Sequence, residues 1–309
     1  MTTLCLAAQD PALVRHWDYD PRAPLDAKAI KVEKRPDLVL HDLTYASPKG
    51  GRVPAWLVVP RGKGPFPAIV WGHWYWDNSP LRNRGQFLEE ALLLARHGVV
   101  SILTDGPIAR PGHVPDRTPL NEQQFEDMTQ QVVDMRRAVD LLLSRKMVDP
   151  ARIAFVGHSY NASVGAVLSG VERRLKAFVL MAGGLSDEVD LLTEGYRKYR
   201  EKVGPARFDA FVAAHPYSDP GQYIRHAAPA TVFLQFATQE DFLTPEHVRK
   251  YLPHVSDPKL FKLYEAPHAL NAEARADRIG FLAKALGFKA PPPPEIAQVP
   301  DLVQPPEGH

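Results

Sequence analysis

Cysteine is almost missing from this 309-residue chain, where Cys5 stands alone. A single thiol cannot close an internal disulfide and cannot supply a cysteine-based zinc site. An excess of charge of one sign is missing too. The 37 Lys and Arg against 36 Asp and Glu leave a formal net charge of +1, which argues against a dedicated binder of nucleic acid or of acidic membranes. No uninterrupted apolar run approaches the roughly 20 residues that a membrane-spanning helix needs. The amino terminus, Met1 to Pro11, lacks a basic leader followed by a long apolar stretch, and so makes a poor secretory signal. No His-Glu-x-x-His spacing occurs among the 12 histidines, and neither a metal nor another cofactor is expected. These deficits leave a soluble, cytoplasmic globular protein as the expectation, with no nucleic-acid or membrane partner.

Proline is present in excess, at 30 residues. Part of the excess forms a terminal run from residue 289 to 309, expected as an extended or disordered tail. The alternative is an arm packed on a neighbouring subunit of a homodimer. Residues 1 to 35 show no periodicity, and Asp10-Pro11, Asp20-Pro21 and Ala23-Pro24 interrupt regular structure there. Leu38 to Ser47 and Val53 to Val59 read as an antiparallel hairpin across Pro48-Lys49-Gly50-Gly51. Apolar runs at Pro67 to Gly72, Val99 to Thr104, Ile153 to Val156, Ala177 to Met181, Thr231 to Phe236 and Leu260 to Tyr264 read as strands. Helices are expected between them, over Gln86 to His97, from a capping box at Asn121 and Gln124, from Thr244-Pro245, and from Asn271 to Gly287. The alternation predicts an α/β fold: a mostly parallel, twisted sheet with helices on both faces, its site at the strands' carboxyl ends. Residues 1–288 form a single domain in this reading, with a helical insertion over about 185–228 folded across one end of the sheet.

One stretch concentrates the chemistry. After Asp149-Pro150-Ala151-Arg152, a buried strand turns through Gly157-His158-Ser159 into Tyr160-Asn161-Ala162-Ser163, small residues that suit a helix packed close to a sheet. A serine at such a corner is held in an exposed backbone position, with the N–H groups of the new helix facing any negative charge that develops. The plain alternative is a helix-capping serine. A nucleophilic serine needs a base, and the base needs a carboxylate that fixes its tautomer. His268 follows one later strand directly, whereas His226 and His254 do not. Asp241 follows another, with Glu240 beside it and Asp187 and Asp190 after an earlier strand as rival acids.

An oxyanion site requires two N–H donors. Tyr160 N–H, just after the serine, is one, and Tyr75 N–H in the loop after Gly72 is the other, with Trp74 as second choice. Trp74 and Trp76 are expected to line an apolar substrate pocket, the alternative being that they pack beneath the insertion.

Together these features resemble the α/β-hydrolase superfamily, in particular its dienelactone-hydrolase-like and acetyl-xylan-esterase-like serine esterases and their acyl-peptidase relatives. The residues that carry the resemblance are Pro67 to His73, Asp149 to Arg152, Gly157 to Tyr160, Gln239 to Asp241 and Pro267-His268. The resemblance implies Ser159 as nucleophile, His268 as base, Asp241 as its orienting acid, and Tyr75 and Tyr160 as oxyanion donors. It implies a small-molecule ester as substrate, an acyl-enzyme intermediate and no cofactor. Amide or peptide cleavage by the same residues, and a non-catalytic binding protein on the same fold, are the alternatives. Two positions depart from the usual pattern: Asn161 stands where a small glycine is common, and Trp74 follows His73 where glycine is common.

Overall fold

Five nearly continuous apolar segments build the centre of the sheet, because a strand covered on both faces has no polar side to present. They are β4 (Phe66–Gly72), β5 (Val100–Thr104), the second half of β6 (Val148–His158), β7 (Ala177–Met181) and β8 (Thr231–Ala237). A computed structural model of the chain describes residues 9–76, 78–184, 186, 193–240 and 243–303. With β1 (Lys28–Lys34), β2 (Leu38–Ala46), β3 (Arg52–Pro60) and β9 (Lys259–Tyr264), these strands form one sheet of nine in the order β1-β2-β3-β5-β4-β6-β7-β8-β9. The pairs from β1 through β3 to β5 are antiparallel, and all pairs from β5 to β9 are parallel.

The described helices are α1 (Pro11–Arg15), α2 (Leu88–Arg96), α3 (Gln123–Leu143), α4 (Tyr160–Val171), α5 (Glu194–Val203), α6 (Pro205–Ala214), α7 (Gly221–Ile224), α8 (Pro245–Tyr251), α9 (Ala272–Leu286) and α10 (Pro293–Ile296). They make two cores, one on each face of the sheet. Val132, Val139, Val167 and Leu168 of α3 and α4 pack with Phe155 and Phe178 on one face. Leu93, Ile279 and Leu282 of α2 and α9 pack with Trp71, Val156 and Val179 on the other. A buried ion pair, Arg278 with Glu90, ties α9 to α2.

Several helix ends follow the sequence closely. Thr244 caps α8 with Pro245 at its first position. Asn271 caps α9, and Gly287 ends it in the left-handed conformation. Four expectations need correction. The segment before residue 35 contains a strand after all, β1, an edge strand whose Ile30 and Val32 are exposed, so it carries no one-sided apolar pattern to read. The capping box at Asn121 does not form: α3 begins after Glu122, and the Asn121 amide instead donates to the carbonyls of Asp116 and Thr118. Asp149 to Arg152 lies inside β6, at a register shift against β4, rather than in a separate turn.

The proline-rich terminal segment, fourth, is docked through α10 and tied down as far as Asp301, while Val303 beyond it is exposed. Its α10 buries Ile296, Glu295 accepts from His97 Nε2 at 2.8 Å, and Arg275 donates to Pro300 O and Asp301. Proline supplies no helical or strand period, yet its fixed backbone leaves less entropy to lose when the segment docks.

Helices α5 and α6 lie between β7 and β8 in the chain. An Arg200–Asp209 ion pair joins them, and they lean on the start of α3. There His215 stacks on Phe125 with ring centres 4.0 Å apart, and its Nε2 pairs with Glu122 at 2.6 Å.

Candidate active site

The corner between β6 and α4 is built by close backbone approach. A side chain at position 157 would overlap the backbone carbonyl of Asn161, so only glycine lets the helix start so near the strand. Ser159, between them, has φ 55° and ψ −116°, a left-handed conformation that costs a non-glycine residue about 1–3 kcal/mol. The surroundings enforce it. Ser159 N–H donates to Met181 O of β7 at 2.7 Å, and Ser159 O accepts from Ala162 N–H at 2.8 Å as α4 begins. Ser159 and Tyr160 remain partly exposed at the sheet's carboxyl edge.

Asn161, the departure from the usual small residue, is wholly buried and bonded at both ends of its amide. Its Nδ2 donates to His73 O at 2.5 Å and its Oδ1 accepts from Gln131 Nε2 at 3.0 Å. Room for it comes from Gly72, where a Cβ would lie 2.6 Å from the Asn161 Cβ. The asparagine adds side-chain hydrogen bonds beside the tight backbone contact at Gly157, and it fastens the loop after β4 to the serine helix.

That loop is held at three more points. His73 is buried, donates through Nδ1 to Trp74 O at 2.7 Å and accepts Gly106 N–H at Nε2 at 3.0 Å, so it is a neutral ring. Burial, the largest cause, lowers its pKa from the usual 6.5 to about 4. Trp74 N–H donates to Gln86 Oε1 at 2.6 Å. That bond removes Trp74 from the oxyanion candidates and leaves Tyr75 in place. The Tyr75 and Tyr160 rings meet edge to face at 6.4 Å, bringing the two expected donor segments together.

The loops after β8 and β9 run side by side, since Thr238 N–H donates to Tyr264 O and Gln239 N–H to Ala266 O. This continued pairing brings residue 240 beside residue 268. His268 Nδ1 donates to Glu240 Oε2, and the two side chains are only 6% and 2% exposed. Asp241, expected in this role, lies outside the described residues, as do the rivals Asp187 and Asp190. Two adjacent carboxylates, Glu240 and Asp241, cannot be told apart by sequence. The backbone pairing that brings Glu240 beside His268 becomes visible only in the fold.

The His268 loop is also tied to the serine corner, because His158 Nε2 donates to His268 O at 2.8 Å and the two imidazoles stack at 5.2 Å. Trp76 lies partly exposed beside His268, with ring centres 5.3 Å apart, where it can form a wall of a substrate pocket. Trp74 does not line such a pocket: it has no exposed surface and packs against His158 at 5.1 Å. Sequence reasoning missed Gln86 and the structural use of His158, although a glutamine at the start of a buried helix was a signal that could have been followed.

No protein-family model matches the chain, and no curated protein matches its sequence. Solved structures match most of its length. The acetyl xylan esterase from Paenibacillus sp. R4 superposes with a TM-score of 0.70 at 20% identity, covering 90% of this chain and 96% of that one. Acetyl xylan esterase 1 from Thermoanaerobacterium sp. JW/SL YS485 gives 0.72 at 16% identity, covering 92% and 95%. The α/β hydrolase GrgF from Penicillium sp. sh18 gives 0.56 at 14% identity, covering 80% and 99%.

Proposed function

The chain has the α/β-hydrolase fold, and from that premise we propose that it is a cofactor-independent serine hydrolase of carboxylic esters. The observation that carries this reading is a left-handed serine at the strand–helix corner whose preceding residue, His158, bonds to the carbonyl of a buried histidine, His268, with the Nδ1 of His268 engaged by a carboxylate. The esterases among the structural neighbours support it as to reaction class. In this reading Ser159 is the nucleophile and His268 the base. Glu240 takes the orienting role that the sequence had suggested for Asp241.

With Nδ1 committed to Glu240, the proton passes through His268 Nε2. Ser159 Oγ attacks the acyl carbon while Nε2 takes its proton, and the carbonyl oxygen becomes an oxyanion facing Tyr75 N–H and Tyr160 N–H. Collapse of this intermediate breaks the ester bond, and the imidazolium returns the proton to the departing alcohol. Water then attacks the acyl-enzyme as His268 removes its proton, and the acid leaves with Ser159 restored. The Glu240 carboxylate stabilises the transient positive charge and keeps the ring oriented. Trp76 gives the acyl or alcohol group an apolar surface next to the base.

The test is hydrolysis of a series of p-nitrophenyl esters by the purified protein and by Ser159→Ala. Turnover by the parent and its loss in the variant are expected. A variant that hydrolyses the series as the parent does would refute the reading.

A further inference from the structure

The proposed reaction makes no use of one buried histidine at its centre. His158 stands immediately before Ser159, has no exposed surface, and packs its ring against both Trp74 and His268. Its protonation is set by Gln86. The carboxamide oxygen of Gln86 accepts Trp74 N–H at 2.6 Å, so the end of the amide turned toward His158 is its NH2. That group donates to His158 Nδ1 at 2.6 Å, which leaves the ring's proton on Nε2, where it donates to His268 O at 2.8 Å. A doubly protonated ring would set an N–H against the Gln86 NH2. Burial above all, then the nearby His268 and Arg278, lowers the His158 pKa well below its usual value.

Three hydrogen bonds thus run in one direction, from the backbone N–H of the loop after β4, through Gln86 and His158, to the backbone carbonyl of His268. We propose that His158, held by Gln86 as the neutral Nε2–H tautomer, is a positioning residue that keeps the base His268 in register with the oxyanion loop at Trp74 and Tyr75. It touches no reacting atom and transfers no proton. Its effect is on where the base and the oxyanion donors sit relative to each other, and displacements on the order of 1 Å at such groups can cost about 100-fold in rate. The inference rests on the reading of Ser159 and His268 as nucleophile and base.

Two substitutions separate positioning from packing. His158→Phe keeps an aromatic ring between Trp74 and His268 but removes both hydrogen bonds. His158→Gln gives up the ring but keeps an N–H donor near the place of Nε2. The phenylalanine variant is expected to lose about 30- to 100-fold in kcat with KM changed little, and the glutamine variant to recover most of that loss. Unchanged kcat in His158→Phe, or a glutamine variant no better than the phenylalanine one, would overturn the proposal. Should His158→Phe fail to fold, nitrogen-15 NMR of the histidines in the parent decides. His158 should show a protonated Nε2 and a bare Nδ1 throughout pH 5 to 8, whereas an Nδ1–H tautomer or an imidazolium in that range would contradict the proposal. An inactive parent, or one whose activity survives Ser159→Ala, strikes the esterase reading and is recognised as such before either variant is compared.

Discussion

Glu240 Oε2 accepts the Nδ1 proton of His268 in a pair almost sealed from solvent. An uncharged amide at position 240 could present its NH2 to Nδ1 and favour the wrong tautomer, with Nε2 protonated and unable to act as base. Glu240→Gln is therefore expected to lower kcat by about 10³- to 10⁴-fold while the fold persists. Asp241→Asn, measured in parallel on the same ester, should change kcat far less. The reverse order would return the orienting role to Asp241.

Asn161 offers a prediction about stability. Truncation to alanine leaves His73 O and the Gln131 amide without this partner in a buried site, each at about 1–3 kcal/mol. Asn161→Ala should thus lower the unfolding free energy by about 2 kcal/mol or more in urea titrations. An unaltered midpoint would mean that the two groups find other partners at no cost. Because the same amide secures the oxyanion loop, kcat should fall along with stability.

Acid sensitivity follows from the buried neutral histidines. The His73 pKa is about 4 in the folded protein against a usual 6.5, so the unfolded chain binds more protons between those values. Stability should be full above about pH 6.5 and decline as the pH falls toward 4, with His73 alone accounting for about 3 kcal/mol. His158 is shifted in the same direction and steepens the decline. Urea unfolding at pH 7 and at pH 4.5 measures the difference, and equal stability at the two values would contradict the neutral assignment.

The Arg278–Glu90 pair makes a further prediction, since its side chains are only 5% and 3% exposed. Removing one partner leaves an uncompensated charge in the interior. Glu90→Ala should cost about 3–5 kcal/mol, and replacing both partners with apolar residues of similar volume should cost much less. Denaturant titration of the single and double variants distinguishes the two outcomes.

How far the sequence could be read depended on whether a feature was local. The central strands were legible because their apolar runs are covered on both faces, and the strand–helix corner at Ser159 because strand, turn and small-residue helix occur together in a dozen residues. β1 was not legible, since an exposed edge strand with Lys28, Lys31 and Lys34 has no buried face to set a period. The packed terminal segment was masked by its prolines, whose contacts to α2 and α9 are set by distant residues. Within the site, the placing of Glu240 beside His268 hangs on backbone pairing between two loops, and the contacts of Gln86 and His158 hang on a hydrogen-bond chain that joins separate segments.

The central claim, that Ser159 is an activated nucleophile, is tested most directly by treating the protein with a fluorophosphonate probe and mapping the adduct by mass spectrometry. The expected result is one adduct per chain, on Ser159, with loss of ester hydrolysis in proportion to labelling. A folded protein that takes no adduct, or takes it on another residue while hydrolysis is lost, would contradict the account.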